Sequence, residues 1–379
     1  MPRLPPLVTR RLHATSPLLA ALLPACKDLN SARNELRWIR EHVWSSAIAS
    51  QFKSPAGKGD HQQRKNVLLY RLCRLRGRGY PLQYILGSQP FGDLEIKCRP
   101  GVLIPRPETE AWTTHLAQTV RDAWKVGKAK NGEDIDPDLK VLDLCTGSGC
   151  IALLLYSLLS RHFPKMSVKG VDIEPRAISL ARKNLEYNIK NRFLQQRSAD
   201  AVLFEEADIF SDAWLEPLLR NTCTADRTQP QKGAWRRGDI DILVSNPPYI
   251  SQKGFDRDTE RSVRNYEPRL ALVPGQVSLG SSVSVATTKP EDVFYARVLS
   301  VAAILKPQFI ALEVGDLKQA IRVVEMTLRW YKEGEIEIWR DWPDMQPGED
   351  ELESVEVASL RIPVRGSGNG RAVFLHRTA

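Results

Sequence analysis

The residues with the most evident chemistry are Asn246, Pro247, Pro248 and Tyr249, directly after the apolar run Ile240-Asp241-Ile242-Leu243-Val244-Ser245. Such a run reads as a buried strand. Two prolines end it, because proline cannot donate to a sheet ladder. Asn246 precedes a proline and is driven to extended geometry. The result is a stiff turn carrying two carbonyls, one on the Asn246 side chain and one on the Pro247 backbone. A planar NH2 group has two N–H donors, and these oxygens accept one each. The nitrogen of an amide or aromatic amine is a poor nucleophile, because its lone pair is delocalised. Acceptors fixed in advance orient it and stabilise the charge that builds up as it attacks an electrophilic carbon. Tyr249 is placed to stack on the planar target. No strong base is needed beforehand, because the alkylated nitrogen sheds its extra proton readily. A rigid turn without chemistry would have the same sequence, so the surroundings decide.

Upstream, the strand residues Val141-Leu142-Asp143-Leu144 run into Cys145-Thr146-Gly147-Ser148-Gly149, and a helix follows. Glycines in a strand-to-helix turn let a ligand approach the backbone, at the sheet edge where open α/β folds bind nucleotides. The next strand ends in Asp172, whose carboxylate suits two ribose hydroxyls. A third ends in Asp208-Ile209, an acid for an adenine amino group and an apolar side chain for the ring. Asp208 alone would read as a helix cap. Thr146, Gly147, Ser148, Gly149, Asp172, Asp208, Ile209 and Asn246 are therefore the expected cofactor contacts. Dinucleotide dehydrogenases share the glycine turn and the first acid. The tetrapeptide separates the classes: it points to S-adenosylmethionine as cofactor and methyl transfer to a planar nitrogen.

These residues need a scaffold. From residue 140 onwards the pattern alternates strands (140–144, 167–173, 203–209, 239–245, 309–314) with helices (151–163, 175–188, 292–305, 318–330), which predicts a doubly wound, mostly parallel sheet. Two late strands, 335–338 and 372–375, have no helix between them and suggest an antiparallel pair at one edge. Residues 17–84 show helical periodicity around a polar loop at 54–62. Residues 83–104 read as a β-hairpin able to bridge two domains, 108–120 as a helix, and 125–137 as a surface linker. The predicted domains are a transit segment (1–16), a helical substrate-binding domain (17–84), a hairpin linker (85–107) and a methyltransferase domain (108–379). Segments 222–238, 277–290 and 343–354 look inserted.

Composition narrows the class. The chain has 379 residues, 26% of them charged, and a formal net charge of +9. No apolar run reaches the ~18–20 residues of a membrane helix. The basic balance suits an anionic partner or an organellar protein. Six cysteines without a C-x-x-C pair argue against zinc, and no metal is expected. They fit a reducing compartment. Residues 1–27 contain Arg3, Arg10, Arg11 and Lys27 but no acid, the composition of a mitochondrial transit peptide.

The sequence resembles the HemK/PrmC-type methyltransferases, which modify the glutamine amide nitrogen of class I peptide-chain release factors. The resemblance rests on the tetrapeptide, on Leu82-Gln83-Tyr84-Ile85-Leu86-Gly87, and on Leu103-Ile104-Pro105-Arg106-Pro107-Glu108-Thr109-Glu110. Tyr266-Glu267-Pro268 with Ala271-Leu272, and Leu312-Glu313-Val314-Gly315, extend it. It implies a release-factor glutamine in a Gly-Gly-Gln loop as substrate, with Arg106 close to the cofactor pocket. Direct nucleic-acid binding, membrane association and oligomerisation are not expected. Cys145 stands where the family usually has its first glycine, and it is compatible with a tight turn if its φ is negative. The inserted segments resemble eukaryotic elaborations, which with the acid-free start favours a mitochondrial over a cytoplasmic setting. Two rival readings remain: an adenine-N6 methyltransferase acting on DNA or RNA, and a binding module that kept the fold without activity.

Overall fold

A computed structural model describes residues 14, 16–45, 61–131, 138–216, 240–275, 289–331 and 333–377. The expected transit segment (apart from Ala14 and Ser16), the loop at 54–60, and the segments 222–238 and 277–288 lie outside these residues. The chain divides into two units. One comprises residues 1–89, 98–100 and 259–267, and the other 90–97, 101–258 and 268–379.

The first unit is helical, with α1 (Pro17–Cys26), α2 (Leu29–Ser45), α3 (His61–Gly77) and α4 (Leu82–Leu86). Its core gathers Leu22, Leu23, Ala32, Leu36, Ile39, Val43, Leu68, Leu69 and Cys73 at helical spacing. Glu35 of α2 forms a bidentate pair with Arg76 of α3, at 2.7 and 2.9 Å. Gly77 lies against α1 so closely that an added Cβ would collide with the Ala21 carbonyl oxygen. Tyr266, from much later in the chain, packs edge-on against Tyr80. Residues 83–86, expected to begin a hairpin, close this helical unit as α4, because Tyr84 and Ile85 both turn inward at helical rather than alternating spacing.

After the helical segment come two strands, β1 (Ser88–Phe91), whose first two residues belong to the first unit, and β2 (Leu94–Lys97), followed by helix α5 (Pro107–Asn131). Proline at the first helical position starts α5 without losing an internal hydrogen bond. The helix continues through 125–131, where a linker was expected. Lys and Ala, which recur there, are strong helix formers, so the charged composition does not interrupt the helix. Then follow β3 (Lys140–Leu144), α6 (Cys150–Leu159), β4 (Ser167–Asp172), α7 (Pro175–Lys190), α8 (Ser198–Ala201), β5 (Val202–Glu206), β6 (Ile242–Ser245), α9 (Gln252–Arg257), α10 (Arg261–Tyr266), α11 (Val293–Leu305), β7 (Phe309–Glu313), α12 (Leu317–Trp330), β8 (Glu335–Trp342), β9 (Ser354–Val357), β10 (Leu360–Arg365) and β11 (Ser367–His376). Of these, α10 belongs to the helical unit.

The sheet order is β5-β4-β3-β6-β7-β11-β8-β10-β9. The first five strands are parallel, and β11 runs antiparallel between β7 and β8. The antiparallel pair β8–β11 is thus present, but β10 and β9 extend the sheet beyond it. Neither was anticipated. In β10 only Ile362 and Val364 are buried, and Pro363 between them disguises the alternation. Segment 343–354 is a turn-rich connection from β8 to β9.

Both faces of the parallel strands are apolar, as covered strands require. Val141, Ile242, Val244, Phe309 and Ala311 face one core with Trp112 and the predominantly apolar helix α6. Leu142, Leu144, Leu243, Ile310 and Leu312 face the other, under α11 and α12. The register pairs Leu144 with Ser245 and with Val171, so three strands end level.

The packing at Gly77 yields a signed expectation. Gly77→Ala is expected to destabilise the chain by about 1–3 kcal/mol through overpacking. In an open helix the same change stabilises by about 1 kcal/mol. Denaturant titration reads the sign, and a stabilised variant would contradict the packing described.

Candidate active site

The strand order reverses between β3 and β6, the point at which open α/β sheets bind ligands. Because Leu144 and Ser245 are partners, the glycine turn and the tetrapeptide leave the sheet side by side. The Ser245 hydroxyl donates to the Leu144 carbonyl at 2.7 Å and locks that pairing. Beyond these ends opens a cavity of about 510 Å³. Its walls include Gly147, Asp172, Asp208, Ile209, Asn246 and Pro248.

The turn is built from its own polar groups. Asp172 Oδ2 accepts the Gly147 N–H at 2.8 Å, and Oδ1 accepts the Glu174 N–H at 2.9 Å. Each oxygen keeps a lone pair for a further donor. Burial raises the Asp172 carboxyl pKa, and these two backbone donors oppose the shift. Gly147 has φ +56, and an added Cβ would meet no protein atom within 4 Å, so a ligand has room against its backbone. Gly149 also has a positive φ, but its Cβ would press on Phe204 and Ala181, so this glycine serves packing. Thr146 and Ser148 are buried and do not line the cavity. The Thr146 hydroxyl donates to Asp143 at 2.6 Å, and the Ser148 carbonyl accepts from Asn184 at 2.9 Å.

Cys145 has φ +62. The expectation of a negative φ fails, and the left-handed backbone explains why glycine suits this position. The strain of roughly 1 kcal/mol is tolerated because the turn is fixed on both sides by the bonds just described.

Asp208 caps its own turn, Oδ1 accepting the Phe210 N–H at 2.9 Å. Buried Arg297 of α11 holds the adjoining segment, donating to the Ile209 carbonyl at 2.5 Å and to Asp212 at 2.6 Å. Phe210 and Phe294 meet edge to face at 4.9 Å in the apolar wall. Neither stands out in the sequence, and Phe294, the second residue of α11, carries no local signal. Leu103, Pro268 and Ala271, from the flanking motifs, complete this lining. An apolar slot of this size lined by the acids Asp172, Glu174 and Asp208 fits a nucleoside cofactor such as S-adenosylmethionine.

Within the tetrapeptide, Pro247 and Pro248 are buried, while Asn246 and Tyr249 are partly exposed. Asn246 Nδ2 donates to Thr109 Oγ1 at 3.5 Å. The Thr109 hydroxyl donates to Glu313 Oε2 at 2.6 Å, and Trp112 Nε1 donates to the same oxygen at 2.7 Å. The Tyr249 hydroxyl donates to Glu313 Oε1 at 3.2 Å, and the Tyr249 carbonyl accepts from Gln319 Nε2 at 3.2 Å. Burial raises the Glu313 carboxyl pKa, against the pull of Thr109, Trp112, Arg371 and Tyr249. Burial also raises the Tyr249 phenol pKa, as does Glu313, while Arg371 and Arg106 lower it. Arg106 is half-buried beside the start of α5, its carbonyl accepting the Glu110 N–H, and it is not part of the cavity wall. None of Thr109, Glu313 and Gln319 stands out individually in the sequence. Two of the three stand inside the motifs that carried the resemblance.

Comparison with known proteins finds a matching family and several relatives. A family described as Methyltransferase domain matches residues 135–223. The chain is 34% identical over 273 residues to a probable MRF1 mitochondrial N(5)-glutamine methyltransferase of Schizosaccharomyces pombe, covering 72% of this chain and 73% of the relative. It is 30% identical to the mitochondrial MRF1 N(5)-glutamine methyltransferase of Saccharomyces cerevisiae, covering 84% and 78%. It is also 30% identical to the release factor glutamine methyltransferase of Bacillus subtilis, covering 78% and 82%.

Two expectations follow from the turn. Burial pushes the Asp143 carboxyl up to about 7, only partly offset by the Thr146 hydroxyl. An unfolded aspartate titrates near ~3.9, so between about pH 4 and 7 the folded chain binds the extra proton, and this group's contribution falls as pH rises. The melting temperature of wild type relative to Asp143→Asn is expected to decline across that window and level off above it. Parallel melting curves would contradict this. At Cys145, Cys145→Val is expected to lose about 1–2 kcal/mol, because a β-branched residue resists the left-handed region. Cys145→Gly should stay within about 1 kcal/mol of wild type. Thermal melting compares them.

Proposed function

The chain belongs to the release factor glutamine methyltransferases, and from that premise we propose that it methylates the side-chain amide nitrogen of a glutamine in a class I release factor. S-adenosylmethionine supplies, when bound, an electrophilic sulfonium methyl group. Gly147 and Asp172 hold its nucleoside part, Asp208 its adenine amino group, and Ile209 packs on the ring. The observation that carries the reading is the adjacency at the β3–β6 switch point: Asn246 and Pro248 share a cavity wall with Gly147 and Asp172.

The protein's work in the reaction is orientation. Asn246 Oδ1 and the Pro247 carbonyl accept the two N–H bonds of the glutamine amide. Its nitrogen is thereby aimed into the cavity, and the positive charge that develops on it faces two fixed dipoles. The Tyr249 ring, anchored through its hydroxyl to Glu313 and through its carbonyl to Gln319, gives a flat surface for the amide plane. The proton lost from the methylated nitrogen leaves to solvent without a dedicated base.

Support for a protein substrate over adenine comes from family membership and from the segment 103–110, which lines the cavity at Leu103 and supports the tetrapeptide at Thr109. The helical unit is the proposed docking element for the release factor. The setting is mitochondrial, by the acid-free start of the chain and by relatives that carry that location in their names. Among the described residues, no helix is long and apolar enough to cross a membrane.

Intact mass and fragmentation of a mitochondrial class I release factor, incubated with the chain and S-adenosylmethionine, test this. One added methyl on the glutamine of the Gly-Gly-Gln loop is expected. Methyl label found only in nucleic acid would overturn the substrate. Asn246→Ala is expected to lower kcat at least about 100-fold, the usual effect of removing one preorganised group, and an unchanged rate would overturn the mechanism.

A further inference from the structure

We propose that Trp112, Glu313 and Thr109 form a directional relay that fixes which end of the Asn246 carboxamide faces the substrate. The proposal rests on the function above and goes beyond it to residues that touch neither substrate nor cofactor.

The two ends of a carboxamide are nearly the same size, so sterics do not choose between them. Their chemistry differs completely. The oxygen accepts an N–H from the substrate amide, whereas the flipped NH2 would set donor against donor. Something outside the amide has to choose, and the choice can be followed outward from Trp112. An indole N–H only donates. It lies 2.7 Å from Glu313 Oε2, which must accept. The Thr109 hydroxyl stands 2.6 Å from the same oxygen and spends its one proton there, in a short charge-assisted bond. Only lone pairs of Thr109 Oγ1 remain for Asn246, at 3.5 Å, and a lone pair selects the NH2 end. Oδ1 is thereby turned away from Thr109 and left for the substrate.

All three relay residues are essentially inaccessible to water, so solvent does not compete for the bonds among them. The other Glu313 oxygen takes the Tyr249 hydroxyl, and its backbone carbonyl takes the Tyr295 hydroxyl at 2.8 Å. The carboxylate is thus held on several sides and cannot swing to accommodate a flipped amide. Thr109 is a positioning residue that acts on the reaction only through Asn246, while Glu313 positions Asn246 through Thr109 and also anchors Tyr249.

The test uses the full chain with its release factor and separates orientation from packing. Thr109→Val keeps the shape and removes the hydroxyl. Its kcat is expected to fall about 10- to 100-fold, because the Asn246 NH2 loses the acceptor that fixes its orientation. Its KM for S-adenosylmethionine should stay within about twofold, because no cofactor contact is removed. Thr109→Ser restores the hydroxyl without the methyl and is expected to recover most of the rate. If Thr109→Val fails to fold by thermal melting, Thr109→Ala removes the same hydroxyl and leaves the Tyr249–Glu313 bond in place, with kcat again expected to fall and cofactor KM to hold. The relay is overturned if the folded variant keeps wild-type kcat, if Thr109→Ser loses as much as Thr109→Val, or if cofactor KM rises in step with the loss. A wild-type chain that leaves the release factor unmethylated overturns the proposed function and the relay together. Normal wild-type methylation with an unaffected Thr109→Val overturns the relay alone.

Discussion

A carboxylate at the end of a central strand organises this protein. Glu313 is fully buried, and an isolated charge there would be too costly to keep. Three donors offset that cost, from Thr109, Trp112 and Tyr249, with the Arg371 cation nearby. They come from the first turns of α5 and from the loop after β6, segments far apart in the chain. Satisfying one buried charge therefore pins a helix and a loop to a strand end. The tetrapeptide has no regular structure of its own, so its placement follows from that bond network and from the Gln319 side chain beneath it.

The second constraint is register. Parallel strands β3 and β6 end at the same level, with Ser245 bonded to Leu144 across the gap. The two turns that follow are adjacent for that reason alone. Shifting either strand by one residue would exchange its two buried faces, and both faces are packed. The cores on the two sides of the sheet thus protect the alignment of the site.

A third layer lies behind the glycine turn. Asn184 and Asn188 of α7 are fully buried, and their side chains bond the backbone of β2 at Glu95 and Lys97 as another strand would. Asn184 also reaches the Ser148 carbonyl. The turn is held from behind while its front remains open to the cavity. This rigidity is what allows Cys145 to keep a left-handed backbone without a glycine.

Much of this was legible in the chain. Alternating apolar strands and amphipathic helices defined the doubly wound sheet, since each local period is a direct imprint of burial. Asn246-Pro247-Pro248-Tyr249 and the Cys145–Gly149 turn announced their chemistry, because proline, glycine and carboxamide have few other reasons to occur in that arrangement. Short edge strands were not legible: Pro363 and the charged positions of β10 look like loop when only one face is buried. The left-handed φ of Cys145 was not legible either, because cysteine does not advertise it. Nor was the task of Thr109, Trp112 and Glu313, each unremarkable alone. Their roles exist only once α5, β7 and the loop after β6 come together, because a hydrogen bond has a direction only when both partners are in place. Residue types determined which chemistry the chain carries, and tertiary packing decided which way its central amide faces.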